Sequence, residues 1–315
     1  MMTQAIAHLE QRAFEIGADV SAVNKLHMVG RLEDNYMLDK PENASQLSFF
    51  QSTTGITDSK KLREHIISIA KEAYDVFPYP CIWALYFCKT RVITHPAFAK
   101  VLEMAKKDEC QPIFLDVGSF AGIDLRQVVH SGMKPENVMG TDLIDDWAKI
   151  GNKLFNGNGV VPFVKGDIFC NSILDRSTPA EPSLIGETFI KLNDLKSLNP
   201  LKQRVRFITC NSVFHLFDEE RQTELAHRLA ALLDNQKSGS TIFGTHVGSD
   251  DCYLLKGTGK RGMFMHSPET WRKMWEEIYQ PGEAQIQVEL GPPEPITHLK
   301  DFRSMTMLIW SITII

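Results

Sequence analysis

The chain has 315 residues, of which 43% are hydrophobic and 23% charged, and its formal net charge is −5. This is enough apolar material for a large core and excludes wholesale disorder. The acidic balance, with no long Lys/Arg run, argues against a nucleic-acid partner or an anionic membrane surface.

Six cysteines (Cys81, Cys88, Cys110, Cys170, Cys210 and Cys252) are scattered without a CxxC pair or a histidine cluster at ligand spacing. The expectation is reduced thiols, no metal site and a cytoplasmic location. No segment has the order of a signal peptide, and no apolar run reaches the roughly 18–20 residues of a membrane span. The apolar end, "SMTMLIWSITII", is too short to span and rich in β-branched residues, so it reads as a buried strand.

Residues 1–108 read as a helical region. "TQAIAHLEQRAFEIGADV" and "DSKKLREHIISIAKEAYDVF" carry apolar residues at three- and four-residue spacing. Asp58 or Ser59 caps the second, and the Pro78–Pro80 pair ends it. Between them, "RLEDNYMLDKPENASQLSFFQSTTG" is polar and turn-rich, and reads as a loop that orders over a site.

From Pro112 the pattern alternates. "IFLDVG", "NVMGTDL", "VVPFVKGDIF", "RVRFITCNSVFHLF" and "GSTIFGTHVG" read as strands. "DLRQVVHSG", "DDWAKIGNKLF" and "DEERQTELAHRLAALL" read as the helices among them. Such alternation predicts a parallel sheet with helices on both faces. "SPETWRKMWEEI" follows as a helix capped by Ser267, and then "AQIQVEL" and "MTMLIWSITII" with no helix between them, which predicts an antiparallel pair.

Sheets of this kind bind ligands at the carboxyl ends of their strands. The turn after the first strand, "LDVGSFAG", holds Asp116, Gly118, Ser119 and Gly122. A dinucleotide fingerprint starting at Gly118 needs glycine at positions 120 and 123, which are Phe120 and Ile123, and no Gly-Lys-Ser/Thr of a phosphate loop follows. Asp142 ends the second strand, where a carboxylate accepts two hydrogen bonds from ribose hydroxyls. Asp167 ends the third, beside Ile168 and Phe169, a set that suits an adenine ring. Asn211 and Ser212 close the fourth.

Asp-x-Gly-x-x-x-Gly, an acid ending strand two, and Asp-Ile-Phe ending strand three resemble the class I S-adenosylmethionine-dependent methyltransferases. "FPYPCIWALYF", "DVGSFAGIDLRQVV", "GTDLIDDWAKIGNKLF", "GDIF", "SVFHLF" and "MHSPETW" look, more narrowly, like fungal methyltransferases of meroterpenoid and related secondary-metabolite pathways. The resemblance runs from about residue 75 to the C-terminus. It implies an α/β, Rossmann-like sheet, mostly parallel with the last strand antiparallel, helices on both faces and an N-terminal helical lid. It further implies that residues 1–108 form the lid and acceptor pocket and residues 109–315 the cofactor-binding domain. The implied cofactor is S-adenosyl-L-methionine. Its site would comprise Asp116, Gly118, Ser119 and Gly122 in the loop, Asp142 and Leu143 at the ribose, Asp167, Ile168 and Phe169 at the adenine, and Asn211 at the amino-acid end. Phe120 stands where many class I enzymes have a glycine.

For the acceptor, His215 in "SVFHLF" is the candidate catalytic group, as a base or as an orienting group. The plainer alternative is a histidine bonded into the start of the next helix. Tyr79, Trp83 and His246 are candidate acceptor contacts, set against ordinary core roles. Asp116 has its own alternative, bracing the turn through backbone amides. The expected partner is an apolar small molecule, with a homodimer left open. The function reading is methylation of a hydroxyl or carboxyl of a terpenoid or polyketide-derived molecule. It competes with C- or N-methylation, with a cofactor-binding regulator that does not turn over, and with an enzyme acting on protein or nucleic acid.

Overall fold

The computed structural model describes residues 30–108, 112–176, 190–255, 262–295 and 304–315. The first expected helix, in residues 3–20, and Cys110 lie outside them. In chain order the helices are α1 (Ala44–Thr54), α2 (Ser59–Val76), α3 (Pro80–Trp83), α4 (Phe98–Lys107), α5 (Ile123–His130), α6 (Asp146–Leu154), α7 (Glu219–Leu232) and α8 (Pro268–Glu276). The strands are β1 (Ile113–Val117), β2 (Val138–Asp142), β3 (Phe163–Lys165), β4 (Val205–Thr209), β5 (Thr241–Gly248), β6 (Tyr253–Leu255), β7 (Met263–Met265), β8 (Ala284–Leu290), β9 (Glu294–Pro295) and β10 (Ser304–Ile314).

The main sheet runs β3-β2-β1-β4-β5-β10-β8. Its first five strands are parallel, and β10 lies antiparallel between β5 and β8, with the short β9 beside its start. The expected mostly parallel sheet with an antiparallel last strand is therefore present. The apolar C-terminal run is β10, whose backbone pairs with a strand on each side. Among the described residues no helix is long and apolar enough to cross a membrane.

Local chemistry sets several boundaries. Asp58 caps α2 by accepting from the Lys61 N–H at 2.8 Å, and Leu62, Ile66, Ile69, Ala70 and Ala73 face inward. Ser267 and Thr270 form a reciprocal capping box on α8, with Pro268 in its first turn. The polar segment expected as a loop is instead partly helical. Residues 44–54 form α1, which ends where Gly55 turns left-handed at φ +75°. Its Ser, Thr and Gln content hides the helix from a periodicity reading, and burial of Phe49 and Phe50 sustains it. The fourth strand is also shorter than expected. It ends at Thr209, because Ser212 takes a φ of +57° and residues 214–216 wind into a 3-10 turn.

The N-terminal helices share one apolar core with α5 and α6. Phe50 stacks on Phe155 at 5.9 Å, Phe49 meets Phe155 edge-on at 6.1 Å, and the Arg126 guanidinium covers Phe155 at 4.5 Å. On another side Trp271, Trp275 and Trp310 cluster with Phe214, Leu225 and Leu229. Residues 30–88 are thus packed directly onto the helices that follow β1 and β2. Phe155→Ala removes the ring that joins the two parts. It is expected to cost about 3–5 kcal/mol, measured as a lower midpoint in urea unfolding.

Candidate active site

The carboxyl ends of β1, β2, β3 and β4 form one edge, because register aligns Asp116 with Gly140 and Thr209, and Asp142 with Lys165. At its centre the Gly118 and Ser119 amides both donate to the Thr141 carbonyl, at 2.9 and 3.1 Å. Gly118 has φ +75°, and a Cβ there would stand 2.3 Å from Val213 Cγ2. Glycine is required at this position both for conformation and for space. Phe120 adopts φ +48°, a conformation ordinarily left to glycine. Two contacts hold it. Its N–H donates to Asp142 Oδ2 at 3.0 Å, and its ring packs on Trp147 at 4.7 Å. Gly122, at φ +67°, then hands the turn to α5.

Asp142 therefore braces the loop while its side chain remains partly accessible. Its other oxygen accepts from the Ile144 N–H at 3.3 Å. Burial lifts its pKa to about 6, against the lowering effect of the Phe120, Ile144 and Leu143 amides. Asp116 is buried, and among the described residues its carboxylate has no hydrogen-bond or ion-pair partner. Burial, and then the charges of Asp124 and Asp142, hold it well above the usual carboxylate range. The bracing role falls to Asp142. Asp167 is exposed and accepts from the Phe169 N–H at 2.9 Å. Ile168 and Phe169 lie half-buried beside it, Phe169 edge-on to Phe217 at 5.1 Å. Ser119 is buried and Leu143 half-buried, both within this edge.

Asn211 knits the end of β4. Its amide oxygen accepts from the Thr245 N–H at 3.0 Å, and its amide nitrogen donates to Thr209 Oγ1 at 3.0 Å and to Asp124 Oδ2 at 3.4 Å. Asp124, in the first turn of α5, also accepts the Arg91 and Val92 amides at 2.9 and 3.2 Å. Neither Arg91 nor Asp124 was singled out from the sequence. An acid in a first helical turn reads as ordinary dipole matching, and an arginine in a loop carries no pattern.

The N-terminal region supplies the opposite wall. Tyr79 stands close enough to Asp142 for that charge to raise its pKa, after the larger effect of burial. Cys81 is exposed, yet it is crowded enough for burial to raise its pKa against the charge of Arg91. Trp83 is half-buried against Tyr74 at 5.2 Å, with its Nε1 enclosed and without a partner among the described residues.

The chain is similar in sequence to several known proteins. Residues 36–88 match the model of the meroterpenoid methyltransferase N-terminal domain. O-methyltransferase phiE, from a fungal species, is 27% identical over 244 residues, 77% of this chain and 73% of that protein. This chain resembles the fungal meroterpenoid methyltransferases. Asnovolin E/chermesin D methyltransferase nvfJ of Aspergillus novofumigatus is 27% identical over 232 residues, 73% of this chain and 75% of that one. Methyltransferase prhM of Penicillium brasilianum is 25% identical over 230 residues, covering 73% and 74% of the two chains. Among solved structures, the plantazolicin methyltransferase BpumL with SAH aligns over 87% of this chain and 97% of its own, at 15% identity and a TM-score of 0.45.

The segment matched to the meroterpenoid methyltransferase N-terminal domain includes Tyr79, Cys81 and Trp83, and Tyr79 stands near Asp142. Beyond it lie three histidines. His215 is partly accessible, with an enclosed Nδ1 that has no partner among the described residues. Burial, and then the Arg91 charge, lower its pKa to about 4, so its ring is neutral at pH 7. His246, expected to touch the acceptor, is instead fully buried. Its Nδ1 accepts from Trp310 Nε1 at 3.1 Å, and its ring lies 4.5 Å from Trp271. Residues alternate between the faces of β5, and position 246 falls on the face covered by the tryptophan cluster. His266, also buried, bonds Thr270 through Nδ1 at 3.0 Å. Gly118→Ala is expected to cost about 1–3 kcal/mol in urea unfolding. Adding Val213→Ala removes the clash but not the strained φ, so the double variant should recover only part of that loss.

Proposed function

We propose that the chain is an S-adenosylmethionine-dependent enzyme that methylates an oxygen of an apolar small molecule of terpenoid or polyketide origin. One observation carries this reading. The Asp116–Gly122 turn, Asp142 ending β2 and the Asp167–Phe169 turn after β3 lie in order along a single carboxyl edge, beside a sheet with one antiparallel strand. The similarity to proteins named O-methyltransferase and meroterpenoid methyltransferase agrees with it.

The residues fit the cofactor chemically. Asp116, Asp124 and Asp142 crowd one another and each is pushed upward in pKa, so the cleft favours a ligand that brings positive charge. Gly118 and Gly122 give backbone access, Asp142 and Leu143 would hold the ribose, and Asp167, Ile168 and Phe169 the adenine. Ser119 and Asn211 would lie at the amino-acid end. The cofactor supplies an electrophilic methyl group on a sulfonium. The chain's own work is to align the acceptor for in-line displacement and to keep water out.

His215 favours a carboxyl over a hydroxyl acceptor. A neutral imidazole with so low a pKa is a poor base, whereas a carboxylic acid is already ionised at pH 7 and needs only orientation. Tyr79 and Trp83, with Tyr86 and Phe87, would give the acceptor an apolar wall. A cytoplasmic location is part of the same proposal, and so is a choice between monomer and homodimer. A regulator that binds cofactor without turnover is the second reading, and a turnover assay separates the two.

Calorimetry with S-adenosylhomocysteine and radiolabelled methyl transfer to candidate acids test the proposal. Failure of the wild type to bind S-adenosylhomocysteine overturns it. Ribose hydroxyls donate to the ionised form of Asp142, so binding should release a proton. With a pKa of about 6, affinity should rise about tenfold between pH 5 and pH 7 and level off above. Asp142→Asn should show a smaller rise over that range. His215→Ala should keep cofactor affinity within about twofold and, by loosening the acceptor's alignment, lower kcat by about 100-fold. An unchanged kcat removes His215 from the reaction.

A further inference from the structure

Arg91 lies outside every motif legible in the sequence, on the loop before α4. Its guanidinium donates to Ser212 Oγ. Its backbone N–H and that of Val92 donate to Asp124 Oδ1. The residue is therefore clamped between the first turn of α5 and the end of β4. Ser212 is itself held in a left-handed conformation, with its N–H donating to the Thr245 carbonyl at 2.7 Å. Among the described residues the Arg91 guanidinium forms no ion pair. Its charge nevertheless acts on Cys81, Tyr86, Asp124 and His215, which sets it inside the cleft.

With the adenine towards Asp167 and the ribose at Asp142, the amino-acid end of the cofactor falls over Gly118 and the end of β4. That end carries one ammonium and one carboxylate. Asp116 and Asp124 suit the ammonium and repel the carboxylate, so the carboxylate needs a cation of its own. We propose that the Arg91 guanidinium binds the carboxylate of the cofactor's methionine portion, an inference that rests on the cofactor assignment above. A guanidinium fork matches a carboxylate in two parallel hydrogen bonds. One N–H is already committed to Ser212, which fixes the plane of the fork before the ligand arrives.

The test compares two ligands by calorimetry. S-adenosylhomocysteine carries the carboxylate, and 5′-methylthioadenosine keeps the adenine, ribose and thioether without it. Arg91→Gln should weaken S-adenosylhomocysteine roughly 10- to 100-fold and leave 5′-methylthioadenosine within about twofold. Arg91→Lys should fall between, and thermal unfolding should show both variants folded. Equal losses for the two ligands would mean that Arg91 only shapes the cleft, and would overturn the inference. Unchanged S-adenosylhomocysteine affinity with a raised KM for the acceptor would also overturn it, and would move the guanidinium to the acceptor. A wild type that binds neither ligand would defeat the cofactor assignment itself.

Discussion

The Asp142 carboxylate holds two parts of the molecule in place at once. One oxygen takes the Phe120 amide of the glycine turn and the other takes the Ile144 amide that opens the next helical segment. Because the turn and β2 are tied here, the Gly118 backbone stays close to Val213 and the edge of β4. The same carboxylate is pushed upward by burial, and the amides it accepts from favour its ionised form. Structure and binding compete for one group.

The three acids of the cleft extend this point. Burial raises Asp116, Asp124 and Asp142 alike, and Asp116 also feels the charges of the other two. Ionisable groups perturbed by burial gather at functional sites in proteins generally. Arg91 and His215 stand on the other side of the same space, the arginine charged and the histidine kept neutral by its neighbour and by burial. In the reading proposed above, the acids and Arg91 face a zwitterionic cofactor and the neutral His215 ring faces the acceptor. The proposed transfer to a carboxylate asks for no strong base.

The N-terminal region shares its apolar core with the glycine turn. It packs on α5 and α6 through Phe49, Phe50 and Phe155, and so carries Tyr79 and Cys81 to the wall opposite the glycine turn. Its aromatics are buried in that core or packed against it.

Much of the sheet was legible in the sequence, since strand and helix periods alternate clearly after Pro112 and side chains must obey those periods to bury an apolar face. The acids at positions 116, 142 and 167 were legible for a related reason: topology puts strand ends together whatever the loops do. The helix at 44–54 was not, because its sequence is polar and only the contact of Phe49 and Phe50 with distant residues sustains it. The burial of His246 was not legible either, because it depends on which face of β5 the tryptophans cover. Sequence alone determined the class of sheet and the row of acids, as both are consequences of local pattern and chain order. Tertiary structure alone decided that Phe120 serves as a left-handed turn residue, that Arg91 meets Ser212 across 121 positions of chain, and that His215 is neutral. Each of these depends on distant neighbours and on the loss of water around them, which no local pattern records.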